Sequence, residues 1–207
     1  MLLWLSYRAV GSETTIMTDD RIHRAVSADG TEIVGRVHSQ GPALVLFHGM
    51  PEDGDICWEA LVPHLADRFT CYLPSSRGVG LSADNPDHAP PRHQEDAVAF
   101  VDGIDEPVFV LGESDGAAQA LHAAAEGAAV VAAAVYEPFV ASVMGDEDLA
   151  RVGEAIERTA EAAADGRLAD AARIFVRAVA TDDEIAALEA TGFFEHNARY
   201  GRRPEPA

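Results

Sequence analysis

The stretch "VFVLGESDGAAQAL", Val108 to Leu121, decides how the rest of the chain is read. Its first four residues are apolar with no polar alternation, the pattern of a strand covered on both faces. Gly112, Glu113, Ser114, Asp115 and Gly116 follow as a sharp turn, and an alanine-rich helix opens behind them. A strand that passes straight into a helix needs small residues on either side of the bend so that the two backbones can approach. Gly112, Gly116, Ala117 and Ala118 meet that demand. The helix start then aims its unpaired N–H groups and positive dipole end at whatever Ser114 meets. Ser114 is therefore a candidate nucleophile. The alternative reading is an ordinary tight turn in which Ser114 caps the helix.

Outward from this stretch the chain alternates between element types. "RIHRAVS" and "TEIVGRVHS" flank Asp29-Gly30, a hairpin signal. "PALVLFHG", Pro42 to Gly49, is a second apolar run, and Trp58, Leu61, Val62 and Leu65 recur behind it at helical spacing. "FTCYLPSS" predicts another buried strand, and "RGVGLSADNPDHAPP" a loop rich in Gly, Pro, Asn and Asp. A helix is predicted over Arg92 to Asp102 with Ala97, Val98 and Val101 inward, then the strand "PVFVLG", a helix from Asp115 to Gly127, and a buried strand in "VVAAAVYEP". This alternation predicts an α/β fold: a mostly parallel sheet flanked by helices, with the first hairpin as an antiparallel edge.

After Pro138 the rhythm becomes acidic and helical. Leu149, Val152, Ile156 and Ala160 mark one stripe; Ile174, Phe175 and Val179 mark another, with Gly166 between them. Thr181 and Glu184 have the form of a capping box, and Gly192 of a helix stop. The expected organisation is a disordered extension over 1–16, an α/β core over 17–144, a helical cap or lid over 145–200 and a frayed tail over 201–207.

The formal charge is −20, from 15 Lys and Arg against 35 Asp and Glu. No basic patch is available to release counterions from nucleic acid or to meet anionic lipid, so a small neutral or cationic molecule is the expected partner. No window approaches the ~20 apolar residues of a membrane span. "MLLWLSYRAV" lacks the charged lead and cleavage site of a signal peptide. Cys57 and Cys71 form no CxxC pattern and read as buried thiols of a reduced, cytoplasmic protein. His88 and His93 lack a third ligand at metal spacing, so neither metal nor cofactor is expected.

Four segments together resemble the α/β-hydrolase fold family over about Ile22 to Phe139. "LFHGMPEDGDICW" is similar to that family's His-Gly turn after its third strand. "LPSSRGVGLS" is similar to its fourth-strand segment, with Ser75 where aspartate is common. "VLGESDG" is similar to its nucleophile elbow, and "AAVYEP" looks like its sixth strand. The resemblance implies a serine hydrolase of the carboxylic-ester type. Ser114 would form an acyl-enzyme, with the backbone N–H groups of Met50 and Asp115 as oxyanion hole, each such donor worth about 2.7–4 kcal/mol in the transition state. His48 is implied as a structural ligand of its turn. Dehalogenases and epoxide hydrolases of this fold carry aspartate at the centre of the elbow; Asp115 stands one residue too late for that role, which favours acyl over alkyl chemistry.

The family's acid and histidine usually follow its seventh and eighth strands, and no strand pattern follows "VVAAAVYEP". Some members place the acid just after the sixth strand, where Glu137 stands; the alternative is a hydrogen-bonded strand end. No histidine among His64, His88, His93, His122 and His196 fits the pattern. The chain thus reads as a hydrolase truncated after its sixth strand, weak or inactive as it stands because the triad histidine is missing. Removal of that residue in a comparable protease lowers turnover by about 10⁶. The competing reading is a non-catalytic remnant that binds a ligand or partner. An unpaired sixth strand is also expected to favour self-association.

Overall fold

The computed structural model describes residues 21–127 and 129–200, so the expected extension over 1–16 and tail over 201–207 lie outside the described residues. The described chain falls into two compact units, 21–139 and 140–200.

The first unit is built on six strands: β1 (Ile22–Val26), β2 (Glu32–His38), β3 (Ala43–Phe47), β4 (Thr70–Pro74), β5 (Val108–Glu113) and β6 (Val130–Tyr136). Their order across the sheet is β1-β2-β4-β3-β5-β6. The Asp29-Gly30 turn joins an antiparallel pair, β1 to β2; β2 runs antiparallel to β4, and the other pairings are parallel. The turn closes because Gly30 takes φ +88° and Asp29 Oδ1 accepts the N–H of Thr31 at 3.0 Å.

The apolar runs divide by strand period. Ala43, Val45 and Phe47 join Val108 and Val110 in one layer with Ala97, Phe100, Val101, Ala120 and Ala123. Those alanines and Phe100 come from two helices, α3 (Pro90–Asp102) and α4 (Asp115–Glu126). Leu44 and Leu46 face the opposite layer with Trp58, Val62, Cys71 and Leu73. Each fully buried Val, Leu or Phe contributes about 1.5–3 kcal/mol. The second layer holds two short helices, α1 (Gly54–Trp58) and α2 (Val62–Leu65), rather than one continuous turn of helix, with Asp53 Oδ1 capping α1 through the N–H of Ile56 and Pro63 opening α2.

In this unit two elements present faces other than those the sequence pattern predicts. Phe100, fully buried, takes the inward place expected of Val98, which is only half-buried. β6 was expected to be a covered strand, yet residues 131–135 are exposed, Val131 at 58% and Val135 at 39%. Among the described residues β6 is the outermost strand, paired to β5 along one edge. An apolar run records that a segment favours cover, and the cover must come from elsewhere in the fold.

The second unit contains α5 (Asp146–Ala164), α6 (Leu168–Val179), α7 (Asp182–Thr191) and α8 (Phe193–Tyr200). Gly166 separates α5 from α6 at φ +76°, and Gly192 ends α7 in the left-handed region at φ +69°. Glu184 Oε2 accepts the N–H of Thr181 at 2.7 Å, one half of the capping box. The buried face of α5 is Val152, Ala155, Thr159 and Ala162. Leu149, Ile156 and Ala160 of the predicted stripe are exposed instead, as is Val179 on α6, where Val176 is buried. The packing face is rotated toward small residues because α5 lies close against α6, as Thr159 Oγ1 within 3.4 Å of Ala171 O attests.

Candidate active site

Ser114 stands where β5 ends and α4 begins, at φ 54° and ψ −116°. A non-glycine residue in that region carries about 1–3 kcal/mol of strain, so its surroundings must hold it there. They do so through the backbone. The N–H of Ser114 donates to Tyr136 O at 3.0 Å, and its own carbonyl accepts from Phe139 N and Ala117 N, each at 3.1 Å. The bend is thus tied both to the end of β6 and to the first turn of α4.

The two flanking glycines are required by close approach. A Cβ on Gly112 would lie 2.2 Å from Gly116 O, and one on Gly116 would lie 2.2 Å from Phe47 O and 2.5 Å from His48 O. The start of α4 therefore rests on the C-terminal ends of β5 and β3 at once. The helix-start N–H of Asp115 has no intrahelical acceptor by geometry, while its carboxylate receives Gln119 Nε2 at 3.0 Å.

The His48-Gly49-Met50 turn leaves β3 against this bend: a Cβ on Gly49 would lie 2.9 Å from Ser114 Cβ. The peptide between Met50 and Pro51 is cis. His48 is buried, its Nδ1 lies 2.8 Å from Gly49 O, and its Nε2 accepts the N–H of Ser76 at 3.0 Å. Burial lowers its pKa below the ordinary histidine value, which suits a neutral ring donating at Nδ1 and accepting at Nε2. With both nitrogens engaged, His48 is unsuited to take a proton from a substrate. The N–H of Met50 donates to no acceptor among the described residues.

Glu137, the acid expected after the sixth strand, follows Tyr136, which is registered against Glu113. It is exposed and adopts φ 45°. The remaining histidines lie on different elements: His23 on β1, His38 on β2, His64 on α2, His88 in the loop before α3, His93 on α3, His122 on α4 and His196 on α8. The His88 and His93 rings sit 5.8 Å apart, with Asp84 Oδ1 3.0 Å from His88 Nε2. Among the described residues no group of three or more His, Cys, Asp or Glu side chains is arranged to hold a metal.

Two features near the bend escape a reading of the motif. Glu113, the residue before Ser114, turns its carboxylate toward the His-Gly turn: Oε2 accepts Gly49 N at 3.2 Å, with Cys57 Sγ at 3.8 Å. Burial pushes the pKa of Glu113 up, and that of Cys57 well up. Arg77, at 1% exposure, spends its five N–H groups on Asp96 twice (2.8 and 2.7 Å), Asp29 (2.9 Å), Asp87 O (2.8 Å) and Arg92 O (3.3 Å). It anchors the loop whose Ser76 N–H reaches His48. The only sequence trace of either feature was an unpaired charge inside a family-like segment.

Comparison with known proteins agrees with this geometry. A profile described as the alpha/beta hydrolase family matches residues 44–207. An alpha/beta hydrolase from Sphaerobacter thermophilus is 29% identical with a TM-score of 0.68, over 86% of this chain and 69% of that one. A thermophilic esterase from Thermogutta terrifontis shares the fold at 18% identity and a TM-score of 0.66, over 87% of this chain and 66% of that one. In sequence, the cis-3-alkyl-4-alkyloxetan-2-one decarboxylase of Xanthomonas campestris is 38% identical over 87 residues, 41% of this chain and 28% of the relative. This chain therefore matches little more than a quarter of that relative's length. The strand-turn-helix bend, the sheet order around it and a profile spanning well over half of the sequence agree: the chain belongs to the alpha/beta hydrolase family.

Proposed function

We propose that the chain carries the acyl-transfer site of a serine hydrolase, with Ser114 as nucleophile. Its Oγ would attack the carbonyl of a small ester, thioester, lactone or amide, and the tetrahedral oxyanion would be held by the N–H groups of Met50 and Asp115. The leaving group would depart to give an acyl-enzyme that water cleaves. The observation that carries this reading is the conformation of Ser114: a strained serine at φ 54° between two sterically enforced glycines, with the Gly49 turn packed against its Cβ. Glu137 is proposed as the acid, because it leaves β6 beside the residues that bind the Ser114 backbone.

Among acyl classes a lactone comes first. The Xanthomonas relative is named for a substrate that is an oxetan-2-one, a four-membered cyclic ester. Glu113 and Asp115 adjoin the bend and the chain carries a formal charge of −20, which favours neutral or cationic substrates over anionic ones and disfavours nucleic acid and anionic lipid. No described helix is long and apolar enough to cross a membrane.

A second reading, a binding module without turnover, is favoured by one observation: His48, in the His-Gly turn packed against the bend, has both ring nitrogens engaged in holding its loop. Treatment with a fluorophosphonate and mass mapping of the adduct separates the two. Modification of Ser114 that disappears in Ser114→Ala supports the hydrolase reading, and slow labelling fits a site short of a proton acceptor. An unmodified Ser114 in a folded sample overturns it in favour of binding.

A further inference from the structure

Met50 belongs to a loop with no regular structure between Phe47 and Gly54, so an N–H donor there is only as useful as the peptide planes around it are fixed. Two successive planes are held from opposite sides. The Gly49 carbonyl, which shares its peptide plane with the Met50 N–H, is 2.8 Å from His48 Nδ1; a trans amide held at oxygen must present its N–H the other way. The preceding plane carries the Gly49 N–H, and its acceptor is Glu113 Oε2 at 3.2 Å. The same oxygen lies close enough to Gly49 that a Cβ there would approach to 2.6 Å, so no side chain at position 49 is compatible with this arrangement. Cys57 Sγ, at 3.8 Å, gives the carboxylate a second donor.

Glu113 has no evident packing reason to be polar. It is half-buried on a strand whose inward neighbours are apolar, close to the charge of Glu137, and an apolar residue would avoid the desolvation involved. We infer that Glu113 is a positioning residue: it pins the Gly49 amide so that the next peptide presents the Met50 N–H to the oxygen of the reacting carbonyl. This rests on the acyl-transfer reading for its catalytic consequence, though the bond itself does not. A negative charge so near a developing oxyanion is a disadvantage, so the side chain's usefulness lies in accepting a hydrogen bond rather than in its charge.

Glu113→Gln and Glu113→Leu separate these roles. Glutamine keeps a carbonyl acceptor for Gly49 and removes the charge; leucine removes both. The expected result is fluorophosphonate labelling of Ser114 within about three-fold of wild type, or faster, in Glu113→Gln, and slower by about 10- to 100-fold in Glu113→Leu, approaching the effect of losing one oxyanion donor. In amide NMR the Gly49 N–H should move upfield in both variants, further in leucine, because a bond to a carboxylate is the stronger one. A Gly49 resonance unmoved in Glu113→Gln overturns the proposal even if the leucine variant fails to fold. A folded Glu113→Leu that labels at the wild-type rate overturns it as well. If wild-type Ser114 is unreactive while the Gly49 resonance still responds to Glu113→Gln, the pin is supported and the acyl-transfer reading alone is lost.

Discussion

Replacing Arg77 by methionine tests how the loop behind the candidate site is held. The guanidinium meets Asp96 through two parallel bonds, Nε to Oδ2 at 2.8 Å and Nη2 to Oδ1 at 2.7 Å, with Arg77 at 1% and Asp96 at 4% exposure. Methionine preserves most of the apolar stem but strands a buried carboxylate, a change that costs about 3–5 kcal/mol. For a domain of this size class each kcal/mol shifts the midpoint by roughly 3–5 °C, so Tm should fall by about 9–25 °C. Trp58, at 5% exposure in the second core layer, provides an intrinsic fluorescence signal for this unit in thermal or urea melts. Adding Asp96→Leu should recover most of the loss, since the buried Asp96 carboxylate is gone and Asp29, the other carboxylate that Arg77 meets, keeps access to solvent at 18% side-chain exposure; the cycle should return a coupling of about 2–4 kcal/mol. Losses that simply add, or an Arg77→Met variant within about 1 kcal/mol of wild type, would refute the claim that this buried pair holds the loop together.

Other outcomes follow from particular contacts. Gly116→Ala places a Cβ 2.2 Å from Phe47 O and should cost at least about 2 kcal/mol in a urea titration, whereas Gly153→Ala, with open space around it in the interior of α5, should add about 0.5–1 kcal/mol. Asp29 is held below the usual carboxylate range chiefly by Thr31 and secondarily by Arg77. Its ionised form therefore contributes stability above the unfolded value near pH 4, which is lost as pH falls through the lower folded value. Asp29→Asn should flatten the fall in urea midpoint below about pH 4. The exposed edge of β6 carries no charged residue from Val130 to Tyr136; light scattering should detect dimers of the wild-type chain that Val131→Lys with Val135→Lys converts to monomers. A monomeric wild type at high concentration would remove that surface as a self-association site.

Much of this fold is written in local pattern. The apolar runs at Val45 and Val110, the Asp29-Gly30 turn and the Gly112 to Gly116 bend each specify a backbone shape through sterics and burial alone, and neighbours in sequence suffice to read them. Ser114 could be singled out for the same reason, because the glycines that permit its bend lie within two positions of it, although the backbone groups that hold it, Tyr136 O and Phe139 N, come from the end of β6 and just past it. Gly166 and Gly192 were equally legible as helix stops, because each occupies backbone space that other residues avoid.

What lay beyond the sequence is everything that depends on which distant segment supplies a neighbour. The run at β6 favours cover yet leaves Val131 at 58% exposure, and α5 buries Val152 and Ala155 while Ile156 stays outside. The partner of an element chooses the face it buries. Glu113 and Gly49 are sixty-four positions apart, and Arg77 and Asp96 are nineteen apart. A side-chain hydrogen bond acts over about three ångströms, so only the folded chain could decide which charge would meet which donor.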